Sequence, residues 1–320
     1  MLNYLSALPP AIAQGMIWGI MAIGVYITYK ILDIADLTVD GSICTGAAVC
    51  AVLMARGCSV WIAMLGALAA GMIAGFLTGV FHTFMGIPAI LAGIITQLIL
   101  WSVNLKVTGL GFDPIRNSSA NIALPARNYN LLISQLDVKG ALLVLELFCI
   151  VLIALLYWFF GTEYGCSLRA TGANLNMSRA QGINTENRKI FGLVLSNGIV
   201  ALSGALLAQY LGNSDVNMGK GAIVTGLAAV IIGEALFSWL ARNNFALKLI
   251  AVVLGGIVYY IVYATIMHLG LDSNYLKMFS ALLVAIFLAV PYWKKKYFSR
   301  GRHHKKAAAK KAAAKAEGGK

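Results

Sequence analysis

The chain has 320 residues, of which 60% are apolar and 12% charged, against about 45–50% and about 25% in soluble domains. Eleven of the 25 basic residues fall between Lys294 and Lys320 with one acid, Glu317, so this tail carries +10 of the formal +13. The basic balance therefore belongs to an appendix and does not mark a nucleic-acid binder. The remainder reads as an all-α polytopic membrane protein.

Apolar stretches run at 11–30, 42–56, 60–82, 86–104, 141–160, 190–211, 221–239, 246–269 and 275–292. A helix needs about 20 residues to cross the hydrocarbon core. The expectation is about nine transmembrane helices (eight to ten), with 42–56 and 86–104 short or interrupted. Residues 1–292 form the membrane domain and 293–320 a cytoplasmic Lys/Ala-rich tail. Residues 1–10 lack Lys and Arg, so they do not form the basic start of a signal peptide, and the first span is expected to be retained. The five cysteines include no C-x-x-C pair and read mostly as small hydrophobes.

If the tail is cytoplasmic and all nine stretches cross, 18 basic residues lie inside and 7 outside. The tail supplies the difference. The N-terminus is then outside, segment 105–140 outside, and segment 161–189 inside.

Gly71, Gly75 and Gly79 recur every four residues, which lets a neighbouring helix approach closely. Gly198/Gly204 and Gly255/Gly256 are expected to serve the same purpose. The run Gly41-Ser-Ile43-Cys-Thr45-Gly46-Ala-Ala48 matches Gly221-Ala-Ile223-Val-Thr225-Gly226-Leu-Ala228 at five of eight positions. Each follows a polar break containing aspartate, Asp36 and Asp40 in one case and Asp215 in the other. The two runs begin the second and the seventh of the proposed spans, five apart in order, so they cross in opposite directions, as in an inverted repeat. Glycine-interrupted segments at matching places point to a transport pathway, because a broken helix must face protein or water. Asp36, Asp40, Gly41, Thr45, Gly46, Thr225, Gly226 and Glu234 are the candidate pathway or gate residues. Glu146 and Glu234 lie in apolar surroundings, where a carboxylate needs a partner or water. For Glu234 the nearby Arg242 is one expected partner.

No catalytic set emerges. The histidines (His82, His268, His303, His304) form no metal motif, and no G-x-x-x-x-G-K-[ST] phosphate loop is present. Any ATP-driven step belongs to another polypeptide.

Segment 161–189 is the most informative. Asn174 is placed to cap a helix over Leu175 to Gln181, and Gly182 to end it. So short a helix needs a surface to dock on. Asn176, Ser178, Arg179 and the flanking Arg169 suit a partly polar partner groove. The residues Glu163-Tyr-Gly165, Leu168-Arg169-Ala170-Thr-Gly172-Ala-Asn174 and Ala180-Gln-Gly182-Ile183-Asn184, followed by an apolar span with Ser203-Gly204-Ala205, resemble the coupling loop of ATP-binding cassette importer permeases of the branched-chain amino acid and ribose type. Gln14-Gly15, Gly24, Leu37-Thr38-Val39-Asp40-Gly41-Ser42, Gly226-Leu-Ala-Ala and Gly233-Glu234 extend the resemblance over about 11–292. Asp36–Ser42 and Ser102-Val-Asn104-Leu-Lys106 resemble a Gram-positive branch assigned to aromatic amino acids such as tryptophan or tyrosine. The chain departs from the ribose-type pattern in lacking an extra N-terminal span.

The resemblance implies a permease subunit without chemistry of its own, at the cell membrane. It implies a homodimer with a second permease subunit and two cytoplasmic ATPases docked on Glu163, Gly165, Arg169, Ala170, Gly172, Asn174, Arg179, Ala180 and Gly182. An extracellular binding lipoprotein would deliver the solute, with Arg116 and Arg127 helping to hold it. No cofactor is implied in this chain, with ATP and Mg on the ATPase. The lipid bilayer is its surroundings, and no nucleic acid is involved. The competing reading is an ion-coupled secondary transporter using Asp36, Asp40 and Glu234. An intramembrane enzyme lacks a reactive constellation.

Overall fold

The computed structural model describes residues 2–109, 121–124, 130–135, 137–237 and 244–268, with isolated helical positions between 278 and 289. Contacts divide the chain into Met1–Leu271, which holds every element discussed below, and Asp272–Lys320. The expected span 275–292 falls mostly, and the boundary at 292/293 wholly, outside the described residues.

The described elements are α1 (Leu2–Tyr26) with a π-helical extension (Ile27–Ile31), α2 (Val39–Ala55), α3 (Val60–Thr83), α4 (Ala89–Gly109), β1 (Asn121–Ala123), α5 (Val138–Gly161), α6 (Glu163–Ala173), α7 (Leu175–Ala180), α8 (Thr185–Leu211), β2 (Asn213–Asp215), α9 (Ala222–Leu236) and α10 (Phe245–His268). Among them α1 with its extension, α3, α4, α5, α8 and α10 are long and apolar enough to cross a membrane, while α2 and α9 are shorter apolar helices. The protein is an all-α multi-pass membrane protein.

Two boundaries differ from the sequence expectation. Stretch 86–104 is not short. It starts after Pro88, which ends the preceding turn, and continues through Gly109. The polar Asn104, Lys106 and Thr108 lower its hydropathy without breaking its hydrogen bonds, and the Thr108 hydroxyl donates back to the Asn104 carbonyl at 2.8 Å. The short helix of the second half is instead α9, with 15 residues.

Helix directions follow from cross-links to α8. Tyr210 donates to the Pro10 carbonyl, Ser203 to Ile17 and Ser196 to Gly24, so α1 runs antiparallel to α8. Gly71, Gly75 and Gly79 pack on Ala201, Leu193 and Ile190, so α3 is antiparallel as well, and the glycine row forms a close helix seam. Ser42 meets Asn197 and Cys50 meets Gln209, so α2 runs parallel to α8. Gly15 and Gly19 pack on Ile257 and Val253, and Gly233 and Gly255 on Ala251 and Ala229. Hence α10 opposes both α1 and α9, and α9 runs opposite to α2.

The α5–α8 connector, 162–184, marks one end of the bundle. At the other end β1 and β2 pair antiparallel, with Ile122 opposite Ser214. Ile122 and Leu124 close that end over Cys50, Met54, Ala63, Ala67 and Ala205. Large apolar side chains such as Leu65, Ile73, Leu143, Ile150 and Trp158 point outward, an arrangement suited to lipid contact.

Candidate functional site

The two matching runs identified in the sequence begin α2 and α9, and the structure brings those beginnings together. Asp40, in the first turn of α2, accepts the Gly221 N–H at 3.0 Å and the Ile223 N–H at 2.8 Å. Carboxylates suit helix N-termini because the first amides have no intrahelical acceptor. Here the capping group comes from the other helix, 181 residues away along the chain. Around it Gly219 packs on the Asp40 carbonyl, its N–H meets the Cys44 sulfur at 3.1 Å, and the Cys44 thiol donates to the Val216 carbonyl at 3.2 Å.

This junction sits about halfway along the bundle. Asn197, about 18 Å from the start of α8 at 1.5 Å per residue, donates to Asp36 at 2.7 Å and accepts from Ser42 at 2.6 Å. Asp36 also accepts the Thr38 N–H at 2.9 Å. The hydroxyls of Thr38, Thr78 and Thr96 continue the network toward α3 and α4. These bonds satisfy the polar groups of segment 32–38, which re-enters the bundle from the connector end before α2 starts. Segment 212–221 re-enters from the opposite end before α9.

Beside the junction lies a cavity of about 230 Å³, lined by Asp40, Gly41 and Cys44 of α2, by Gln97, Leu98, Trp101 and Asn104 of α4, and by Val216 and Lys220. Lys220 is exposed. A charge at this depth is costly unless it faces protein or a water-filled space, so this side of the junction is not turned to lipid. The charge count had placed Lys220 at an outer rim, because a dipping loop and a rim loop look alike in hydropathy.

The connector is the second feature. Thr162 caps α6 by accepting the Gly165 N–H at 3.4 Å. Gly165 packs on Phe160, and Gly172 packs directly on the Ile31 carbonyl at the end of the π-helical turn. Asn174 caps α7 through the Met177 N–H at 3.0 Å. Gly182, at φ 77°, ends it, with Gly182 N–H donating to Arg179 and Ile183 N–H to Ser178. That pair of bonds is the Schellman pattern. Arg179 bonds Thr185 at 3.0 Å and lies 3.7 Å from Glu186, tying α7 to the start of α8. Glu163, Arg169, Ala170, Asn176, Met177, Arg179 and Ala180 are exposed, whereas Ser178 is buried in the bundle rather than offered to a groove.

Of the other candidates, Thr45 bonds back to the Gly41 carbonyl. Gly46 packs on the Ala201 backbone and Gly226 on Met21 and Val25. Thr225 is half-buried and reaches the Gly221 carbonyl at 3.4 Å. Glu234 pairs with Lys30 at 2.8 Å, while Arg242 lies outside the described residues, as do Arg116 and Arg127. Glu146 is exposed on α5. The sequence reading assigns no role to Asn197, Asn104 or Lys220. The available signal was an amide or ammonium in an otherwise apolar neighbourhood.

Residues 10–291 match the family model described as the branched-chain amino acid transport system permease component. The chain is 37% identical over 285 residues to a tyrosine transport system permease protein of Clostridioides difficile, covering 89% of this chain and 91% of that protein. An uncharacterized protein of Rickettsia prowazekii is 33% identical over 280 residues, covering 87% and 95%. An autoinducer 2 import system permease protein of Salmonella paratyphi B is 29% identical over 206 residues, covering 61% and 55%. No solved structure matches the chain. With six helices long and apolar enough to cross a membrane and two shorter apolar ones among its described residues, and a family match over residues 10–291, the chain belongs to the branched-chain amino acid permease family of ATP-binding cassette importers, as a transmembrane transport subunit and not an enzyme.

Proposed function

We propose that this permease imports an aromatic amino acid of the tyrosine class, driven by separate ATP-binding subunits. The observation that carries the ATP-driven reading is the connector. A two-turn helix capped at both ends, with Met177 and Arg179 exposed, is a stiff projection that a partner can grip. Its neighbour α6 rests on Ile31 through Gly172, at the start of the segment leading into α2. A push on α7 is thereby carried to the mid-bundle junction. The solute class is suggested by the Clostridioides relative, which its name assigns to tyrosine transport.

In this reading two copies of the chain form the pathway. Two ATPases, holding ATP and Mg, dock on the connector from the cytoplasm, and a binding lipoprotein delivers solute at the β1–β2 end. The C-terminal tail is cytoplasmic. Coupling residues are Glu163, Gly165, Arg169, Ala170, Gly172, Asn174, Arg179, Ala180 and Gly182.

The test is reconstitution of the permease in proteoliposomes with its candidate ATPase and binding protein. Uptake of tyrosine or tryptophan is expected only with ATP and both partners. Accumulation by this chain alone under an ion gradient would overturn the reading in favour of ion-coupled transport.

A further inference from the structure

We infer that the cavity beside the α2–α9 junction is a binding site for a single zwitterionic α-amino acid. This deepens the proposed function and rests on it for the direction of transport only. The cavity's chemistry stands on its own.

Asn104 is 1% exposed, and neither its side-chain nitrogen nor its oxygen has a hydrogen-bond partner among the described residues. A buried amide left unpaired costs about 1–3 kcal/mol, so an unfilled Asn104 facing a cavity signals an absent partner that both donates and accepts. An amino acid backbone has that character. Around the same cavity stand one acidic and one basic group, Asp40 and Lys220. Asp40 uses one lone pair of each carboxylate oxygen on Gly221 and Ile223, and a carboxylate offers about four. The remainder can receive an ammonium group. Lys220 forms no ion pair among the described residues and suits a carboxylate. Leu98 and Trp101 supply the apolar wall, and an aromatic face there favours a flat side chain. The volume, about 230 Å³, falls below the roughly 300–1,000 Å³ of pockets for drug-sized ligands, which fits one amino acid rather than a peptide.

The site also explains why Lys220 is tolerated at mid-depth. Its charge faces a solute space and not hydrocarbon.

The experiment uses the purified full-length permease in nanodiscs, with radiolabelled L-tyrosine as probe. Tyramine, which lacks the carboxylate, and 3-(4-hydroxyphenyl)propionate, which lacks the ammonium group, serve as competitors. Saturable binding is expected, with each competitor at least tenfold weaker than unlabelled tyrosine. Lys220→Gln and Asn104→Leu should each weaken binding about tenfold or more. Asn104→Leu should do so with an unchanged or raised thermal midpoint, since it removes unpaired polar atoms, keeps the branched shape and directs its extra bulk into the cavity. No saturable binding to the wild-type chain, or equal binding by the variants, would overturn the site. The failure of the proposed function reads differently. If the full reconstituted complex takes up tyrosine and the variants take it up equally, the importer reading stands and the site falls. If the permease binds tyrosine but the complex does not move it, the site stands and the importer reading falls.

Discussion

At the scale of single residues, Asp40 holds together two elements that the chain order keeps far apart. Asp40→Ala leaves the Gly221 and Ile223 amides without their acceptor; the cost approaches about 1–3 kcal/mol only for a fully buried group, so the half-buried Ile223 amide bears most of it and the exposed Gly221 amide little. We expect a lower thermal midpoint in detergent and faster hydrogen exchange over 221–224. Unchanged exchange there would show that water replaces the carboxylate. Lys30 and Glu234 behave differently. Their side chains are 47% and 40% exposed, so solvent screens the pair and its contribution is about 0–1 kcal/mol. Glu234→Gln should therefore leave the midpoint almost unchanged and reduce coupled uptake. If uptake is unaltered, the pair is packing only. Asp36 and Asp40 were legible as polar residues in an apolar run. Their partners were not, because a bond across 161 or 181 residues leaves no trace in local spacing.

At the scale of elements, α7 was legible because both of its signals are local: the Asn174 side chain and the left-handed Gly182. Alanine at Gly182 must adopt φ near 77°, costing about 1–2 kcal/mol, or else let the helix run on. Gly182→Ala and Arg179→Ala are each expected to leave the bundle folded while ATP turnover proceeds without matching uptake. Full coupling in the reconstituted variants would count against the connector's role. Helix α6 escaped the sequence reading because its glycines look like loop residues, whereas Gly165 and Gly172 are small so that Phe160 and Ile31 can come close. The same logic applies more severely at Gly46, whose missing side chain would overlap the Ala201 backbone. Overpacking of this kind cannot be relieved by a rotamer change, so Gly46→Leu should abolish monodisperse protein on size exclusion. Recovery of a normal elution profile would show that α2 and α8 can separate.

At the scale of the whole molecule, composition and apolar runs were enough to read the fold class. The count of full spans was not, since hydropathy does not distinguish a helix that starts at the bilayer surface from one that starts in the middle. Orientation gives a direct measurement. Cys166 is exposed on the connector, and Cys58 is half-buried at the opposite end. A membrane-impermeant maleimide added to the outside should label Cys166 in inverted vesicles and Cys58 only in intact cells. The reverse pattern would invert the topology and remove the ATPase from the connector. The head-to-head meeting of α2 and α9 constrains how such a machine can move. Two half-length rods pointing to opposite faces and fastened to a single carboxylate share a fulcrum. A tilt that widens one mouth swings the far arm toward the other, so access to the two sides alternates by leverage, without either rod having to slide.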